Sequence, residues 1–180
     1  MAWDKGDYKE VLRLAVDGVT HDSDYAGLVN DWRKWELKVY LQTHDYTGSL
    51  RLCRYFFFNG GRFGEEAYSM ENMYSQMKSI VPEDEWKDFV VTLLKEAADS
   101  RSSFRMLFIY YQEKMWDRYM DYVRKSPVIH ELDDAPEGVW ELYKDELVQL
   151  YTACVKGFFQ RASSRNAYCE GVSKLRKLIN

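Results

Sequence analysis

Apolar residues recur along this chain at three- and four-residue steps almost from end to end. Tyr8, Val11, Leu12, Ala15, Val16 and Val19 form one such run. Ala67, Met70, Tyr74, Met77 and Val81 form another, and Trp86, Phe89, Val90, Leu93 and Ala97 a third. The longest is Trp140, Tyr143, Leu147, Leu150, Cys154 and Phe158, a stripe of about five turns. This spacing gathers apolar groups on one face of an α-helix. Alternation with a period of two, the mark of a strand, does not compete anywhere. Tyr55-Phe56-Phe57-Phe58 is strand-like in isolation, but it continues the Leu50, Leu52, Cys53 pattern and stops at Asn59-Gly60-Gly61, a helix C-cap and turn. Pro82, Pro127 and Pro136 each stand where a helix can start. The pattern predicts helices near 5–19, 23–42, 46–58, 63–80, 83–98, 102–112, 115–125, 128–133, 137–162 and 164–179. Short connections make sequential helices antiparallel neighbours.

The chain also matches itself. Gly6-Asp7-Tyr8-Lys9-Glu10-Val11-Leu12-Arg13-Leu14 aligns with His44-Asp45-Tyr46-Thr47-Gly48-Ser49-Leu50-Arg51-Leu52 at an offset of 38. Asp84-Glu85-Trp86-Lys87-Asp88-Phe89-Val90 aligns with Asp117-Arg118-Tyr119-Met120-Asp121-Tyr122-Val123 at an offset of 33. Such periods belong to helix-pair repeats of the tetratricopeptide kind. An aspartate at each helix start caps orphan N–H groups, and the aromatic after it packs onto the preceding helix. Pairs that cannot bury their apolar faces alone stack on one another. The expected fold is all-α: a right-handed α-α superhelix of antiparallel helix pairs, forming one domain over residues 1–180.

Asp24-Tyr25-Ala26-Gly27-Leu28-Val29 and Trp86 in Asp84-Glu85-Trp86 resemble the helical-repeat region that accompanies SWIM-type zinc fingers. Leu142-Tyr143-Lys144-Asp145-Glu146-Leu147 followed by Ala162-Ser163-Ser164-Arg165-Asn166-Ala167-Tyr168 is similar to that region as well. There a helix, a small polar break and an Arg-x-x-Tyr opening succeed one another, as Arg165 and Tyr168 do here. The resemblance implies a tetratricopeptide-like solenoid without catalytic residues, and it leaves open that the chain is part of a longer protein. The zinc finger itself, C-x-C followed by C-x-H, is absent from this sequence. The apolar Leu175, Leu178 and Ile179 near the end suggest a face that a partner or a second copy covers.

Composition narrows the field. At 180 residues the chain is 46% apolar and 30% charged, which fits a folded domain. A net charge of -4 argues against a surface made wholly for nucleic acid. Cys53, Cys154 and Cys169 are scattered and form no C-x-x-C pair, so reduced thiols in a cytoplasmic protein are expected. MAWDKGDYKE lacks the apolar core of a secretory signal, and LCRYFFF and MLFIYY are too short to span a membrane.

Candidate chemistry is sparse. His21, His44-Asp45 and a later Asp88 or Asp99 can be fitted to an HD-type metal phosphohydrolase, in which imidazoles and carboxylates converge on a divalent ion that activates water. His44, however, takes the place that Gly6 holds in the other copy, which suits a turn better than a ligand. Glu65-Glu66, Glu83-Asp84-Glu85 and Asp133-Asp134 read as first-turn acids beside Phe63, Pro82 and Pro136. Gly60-Gly61-Arg62-Phe63-Gly64 lacks the G-K-[ST] ending of a phosphate loop and reads as a turn. Residues 131–146 carry seven acids against one Lys, whereas 156–177 carry Lys156, Arg161, Arg165, Lys174, Arg176 and Lys177 against Glu170. Arg161, Arg165 and Lys174 with Tyr168 therefore form a candidate nucleic-acid contact. Doubled aromatics such as Trp32/Trp35, Tyr110/Tyr111 and Phe158/Phe159 cannot all face one core, and Trp35 and Tyr111 are the candidates for a protein-binding groove. The sequence therefore points to a scaffold for a protein partner, with no catalytic residue, metal or cofactor. The metal hydrolase and the nucleic-acid platform are its rivals.

Overall fold

The computed structural model describes residues 2–59 and 65–177. Among the described residues every regular element is helical. A 3₁₀ turn, Trp3–Lys5, leads into α1 (Tyr8–His21), α2 (Ala26–Gln42) and α3 (Tyr46–Asn59). A second 3₁₀ turn, Glu66–Tyr68, precedes α4 (Met70–Ile80) and α5 (Glu83–Asp99). There follow α6 (Ser103–Gln112), α7 (Trp116–Lys125), α8 (Ile129–Asp133), α9 (Glu137–Arg161) and α10 (Arg165–Lys177). The chain divides within α5 into two compact units, Met1–Leu93 and Leu94–Asn180. The predicted glycine turn at Gly60–Gly64, with Phe63, and the apolar Leu178 and Ile179 lie outside the described residues.

One backbone device recurs at four corners. Gly6, His44, Arg101 and Lys114 have φ of 72°, 56°, 52° and 52°, in the left-handed region. In each case the next residue's amide reaches back five positions: Asp7 to the Ala2 carbonyl (3.0 Å), Asp45 to Tyr40 (2.9 Å), Ser102 to Ala97 (2.9 Å) and Met115 to Tyr110 (2.8 Å). This is the backbone closure of a Schellman C-cap, and it satisfies a carbonyl that the ending helix leaves orphaned. The following helix begins one residue later, at Tyr8, Tyr46, Ser103 and Trp116. At the first two corners the intervening aspartate also caps that helix: Asp7 Oδ1 accepts from the Glu10 amide (3.1 Å) and Asp45 Oδ1 from the Gly48 amide (2.9 Å). His44 is thus a corner residue in a conformation that costs a side chain free energy. Asp84 and Asp117 depart from the expected capping role. Each is the second residue of its helix, where a carboxylate suits the positive dipole end without closing a cap.

A left-handed L-residue costs about 1–2 kcal/mol, and glycine's extra unfolded-state entropy returns roughly half of any gain from replacing it. His44→Gly and Lys114→Gly should therefore each raise stability by about 0.5–1 kcal/mol. The shift is read from urea midpoints at constant slope. Loss of stability in both variants would mean that the side chains, rather than the corners, matter there.

In the first unit, α1 packs on α2, α2 on α3 and α3 on α4. Val11 and Ala15 of α1 and Leu37 of α2 are buried, as are Leu52, Cys53, Phe56 and Phe57 of α3 and Met73, Tyr74 and Met77 of α4. Trp86 and Val90 of α5 complete this core, with the Trp86 ring 5.3 Å from Tyr74. The helix predicted over 63–80 instead breaks at Ser69, whose hydroxyl accepts from the Asn72 amide and starts α4 afresh. Between α2 and α3 runs a polar seam. The Tyr55 hydroxyl donates to Asn30 Oδ1 (2.7 Å), and Arg51 reaches the buried Glu36 carboxylate (3.2 Å). Gly18 of α1 lies under the indole of Trp32, held there by a 2.7 Å bond from its Nε1 to Asp22. A Cβ on Gly18 would fall 2.4 Å from that ring.

Alanine favours a helix over glycine by about 1 kcal/mol, but overpacking at a fixed ring costs about 1–3 kcal/mol. Gly18→Ala should lower stability by about 1–2 kcal/mol in a urea titration. Pairing it with Trp32→Leu should recover much of that loss.

In the second unit, α6 packs on α7, and α9 receives α7, α8 and α10. Its buried side chains include Ile109, Tyr119, Met120, Val123, Leu132, Val139, Leu147, Tyr151 and Val155. The inner face of α9 thus runs through Leu147, Tyr151 and Val155. Of the expected stripe, Leu147 lies on this face, whereas Trp140, Tyr143, Leu150, Cys154 and Phe158 are half-buried. Tyr151 tolerates the interior because its hydroxyl donates to Asp133 Oδ1 (2.8 Å). Asp133 therefore closes α8 and anchors α9; it is no first-turn acid. Nor is α9 one smooth helix. Tyr143 breaks it with φ -126° and ψ 24°. The kink coincides with the seam to α7, where the Tyr143 hydroxyl donates to the Asp117 carboxylate. One turn on, Arg124 of α7 grips Glu146 through two bonds of 2.6 and 2.8 Å.

Glu131 of α8 is half-buried, and its Oε2 finds no partner. Burial raises its pKa above the ordinary 4.5, outweighing the attraction of His130 and the hydrogen bond from Tyr122. A carboxyl whose native pKa is raised holds its proton better in the folded state. It therefore favours folding below about 4.5, and that contribution is lost as pH climbs through the native value. Glu131→Gln should gain stability over the wild type at pH 7 and lose that advantage near pH 4, measured by paired denaturant titrations. An equal difference at both pH values would remove the carboxyl from this account.

Candidate functional site

The second unit carries two adjoining clefts that share Lys114 and Trp116. The larger, about 470 Å³, is bordered by Tyr111, Trp116, Pro136, Glu137, Gly138 and Glu141. The smaller, about 310 Å³, runs past Met115, Arg118 and Leu142. Local sequence explains the arrangement. The left-handed corner at Lys114 turns the chain so that Trp116 opens α7, and Pro136 sets the start of α9 beside it. Gly138 lets the two meet, since a Cβ there would stand 2.7 Å from the Trp116 indole nitrogen. The Tyr111 ring meets Trp116 edge-on with centroids 6.4 Å apart. Tyr110 turns inward at 8% exposure while Tyr111 stays 53% exposed and Leu142 65% exposed. Glu137 and Glu141, one turn apart on α9, face the larger cleft, and Lys114 and Arg118 supply the cations. The result is an aromatic and aliphatic centre with a charged rim. It has the composition of a contact surface, and nothing in it resembles a nucleophile with an adjacent base.

The residues singled out from sequence scatter. Tyr111 lies on this surface. Trp35, in the first unit, is half-buried against Trp3 (5.7 Å, edge-on) with Lys38 over its ring at 4.4 Å. Arg161 lines a different cleft of the second unit together with Lys174 and His130. Arg165 is exposed at the first residue of α10, and Tyr168 stacks on Phe159 at 6.0 Å while remaining 50% exposed. His21 ends α1, His44 and Asp45 build the corner before α3, and Asp99 ends α5. Asp88 borders an open cleft of the first unit with Tyr46, Leu50, Glu85 and Phe89. No three His, Cys, Asp or Glu side chains among the described residues converge in a way that could hold a metal ion. The thiols are graded as well: Cys53 is buried with its pKa pushed up to about 12, Cys154 is half-buried, and Cys169 is exposed.

Trp116, Gly138 and Leu142 were not singled out from sequence. The available signal was Gly138, a glycine inside a predicted helix, which marks close approach by a neighbour. No helix among the described residues is long and apolar enough to cross a membrane. Set beside family models, characterised proteins and solved structures, this all-α chain finds no match.

Proposed function

We propose that the chain is a non-catalytic helical-repeat scaffold, an α-α superhelix of the tetratricopeptide kind, that receives a segment of a protein partner on the Trp116 surface. The same corner at Gly6 and His44, 38 residues apart and each followed by a capping aspartate, supports the repeat reading. The observation that carries the binding reading is the exposed Leu142 and Tyr111 flanking Trp116 at two joined clefts. Large apolar groups exposed beside a preformed concavity characterise contact sites, because covering them releases water without reorganising the backbone. Trp116, packed onto Gly138, is a rigid anchor, and rigid aromatic anchors dominate binding energy at protein interfaces. Glu137, Glu141, Lys114 and Arg118 at the rim set orientation more than strength.

Affinity capture with the wild-type chain, compared with Leu142→Asp and Tyr111→Ala, tests this reading. A specific partner should be retained by the wild type and lost with Leu142→Asp, and Tyr111→Ala should weaken it by about 1–2 kcal/mol. Circular dichroism of both variants should be unchanged, since each side chain is mostly exposed. A retained set that is identical for all three proteins would end the proposal.

A further inference from the structure

Two aligned positions of the first unit differ in what covers them. Tyr8 and Leu12 of α1 stand 38 residues before Tyr46 and Leu50 of α3. The chain itself covers the first aromatic: the Trp3 ring meets Tyr8 edge-on at 5.3 Å, and Tyr8 is half-buried. Among the described residues the one ring beside Tyr46 is His44, tilted at 6.3 Å, and Tyr46 stays 61% exposed. Next to Tyr46 lies an open cleft of about 470 Å³. Leu50, Val81 and Phe89 give it an apolar wall. Glu85 and Asp88 of α5 line it, and no lysine or arginine does. Neither carboxylate is paired with another described side chain. Glu85, in the first turn, suits the positive end of α5, but Asp88 lies beyond the reach of that end. Arg54 sits over the Phe89 ring at 5.8 Å without lining the cleft.

We infer that this cleft receives a short segment of a protein partner that carries an aromatic side chain beside lysines or arginines. The aromatic group takes over Tyr46 the place that Trp3 takes over Tyr8, and it reaches the apolar wall at Leu50. Burial of that ring supplies most of the affinity, with the edge-on contact adding to it. The cations face Glu85 and Asp88. Both carboxylates are exposed, so their attraction is screened and governs orientation and encounter more than strength. An extended segment is held along an open groove, whereas a small molecule there would stay largely in water. The inference is independent of the Trp116 surface, which belongs to the second unit.

Fluorescence anisotropy of the full chain at low salt, with short labelled peptides, tests it. One peptide is built of Trp, Lys and Gly; a second has Glu for Lys, and a third Ala for Trp. The first should bind about tenfold more tightly than either of the others. Tyr46→Ala should weaken it about tenfold and Asp88→Asn about threefold. Asp145→Asn, at an exposed acid of the second unit, should leave it unchanged. All three variants should keep the wild-type circular dichroism. Absence of binding by the Trp-Lys peptide would overturn the inference, as would equal binding of the Ala peptide or an equal loss with Asp145→Asn. Loss with Leu142→Asp in place of Tyr46→Ala would assign the peptide to the Trp116 surface and overturn it as well.

Discussion

Each reversal of this chain at a left-handed corner depends on a single amide that reaches back five residues to a carbonyl of the helix just ended. That bond does two things at once. It removes an orphan acceptor from a helix end, and it fixes the angle at which the next helix departs, one residue further on. Side-chain packing then acts on helices whose directions are already set. Glycine, histidine, arginine and lysine all occupy the turning position, so the device is written in the backbone and accepts varied side chains at a modest energetic cost. This is why a His-Asp pair in the sequence need carry no chemistry.

Between the helices, close approach is achieved by laying an aromatic ring on bare backbone. Trp32 over Gly18 joins α1 to α2, and Trp116 over Gly138 joins α7 to α9. The same construction serves different ends. Trp32 is locked by its bond to Asp22 inside the first unit. Trp116 stays at the edge of two clefts, where its outer face remains available. Both rings stay half-buried, one tied by its hydrogen bond and the other bordering the clefts.

Helical content and most helix boundaries were legible because apolar period, proline placement and glycine or polar breaks agree along the chain. Each exception has an identifiable cause. Ser69 interrupts a periodic run because its hydroxyl offers the Asn72 amide a better partner than a continued helix. The break at Tyr143 involves neither proline nor glycine and follows the seam with α7, a tertiary event no local pattern encodes. On α9 the expected stripe included Leu147 but passed over Tyr151 and Val155, because its three- and four-residue steps continued through Leu150 and Cys154 instead. Of the groups around the Trp116 clefts, only Tyr111 could be read, as the outward member of a doubled aromatic. The exposure of Leu142 and the position of Trp116 depend on which helix arrives opposite them.

The interruption at Tyr143 has a mechanical consequence. The six residues before it, Glu137 to Leu142, carry the cleft-lining groups of α9, while the length after it holds Leu147, Tyr151 and Val155 in the interior. Hydrogen bonding along a helix is cooperative only while its turns are continuous. The short leading piece therefore takes its order from its own contacts, Val139 in the interior and Gly138 under Trp116, so its amides should report on the cleft separately from those of the length behind it.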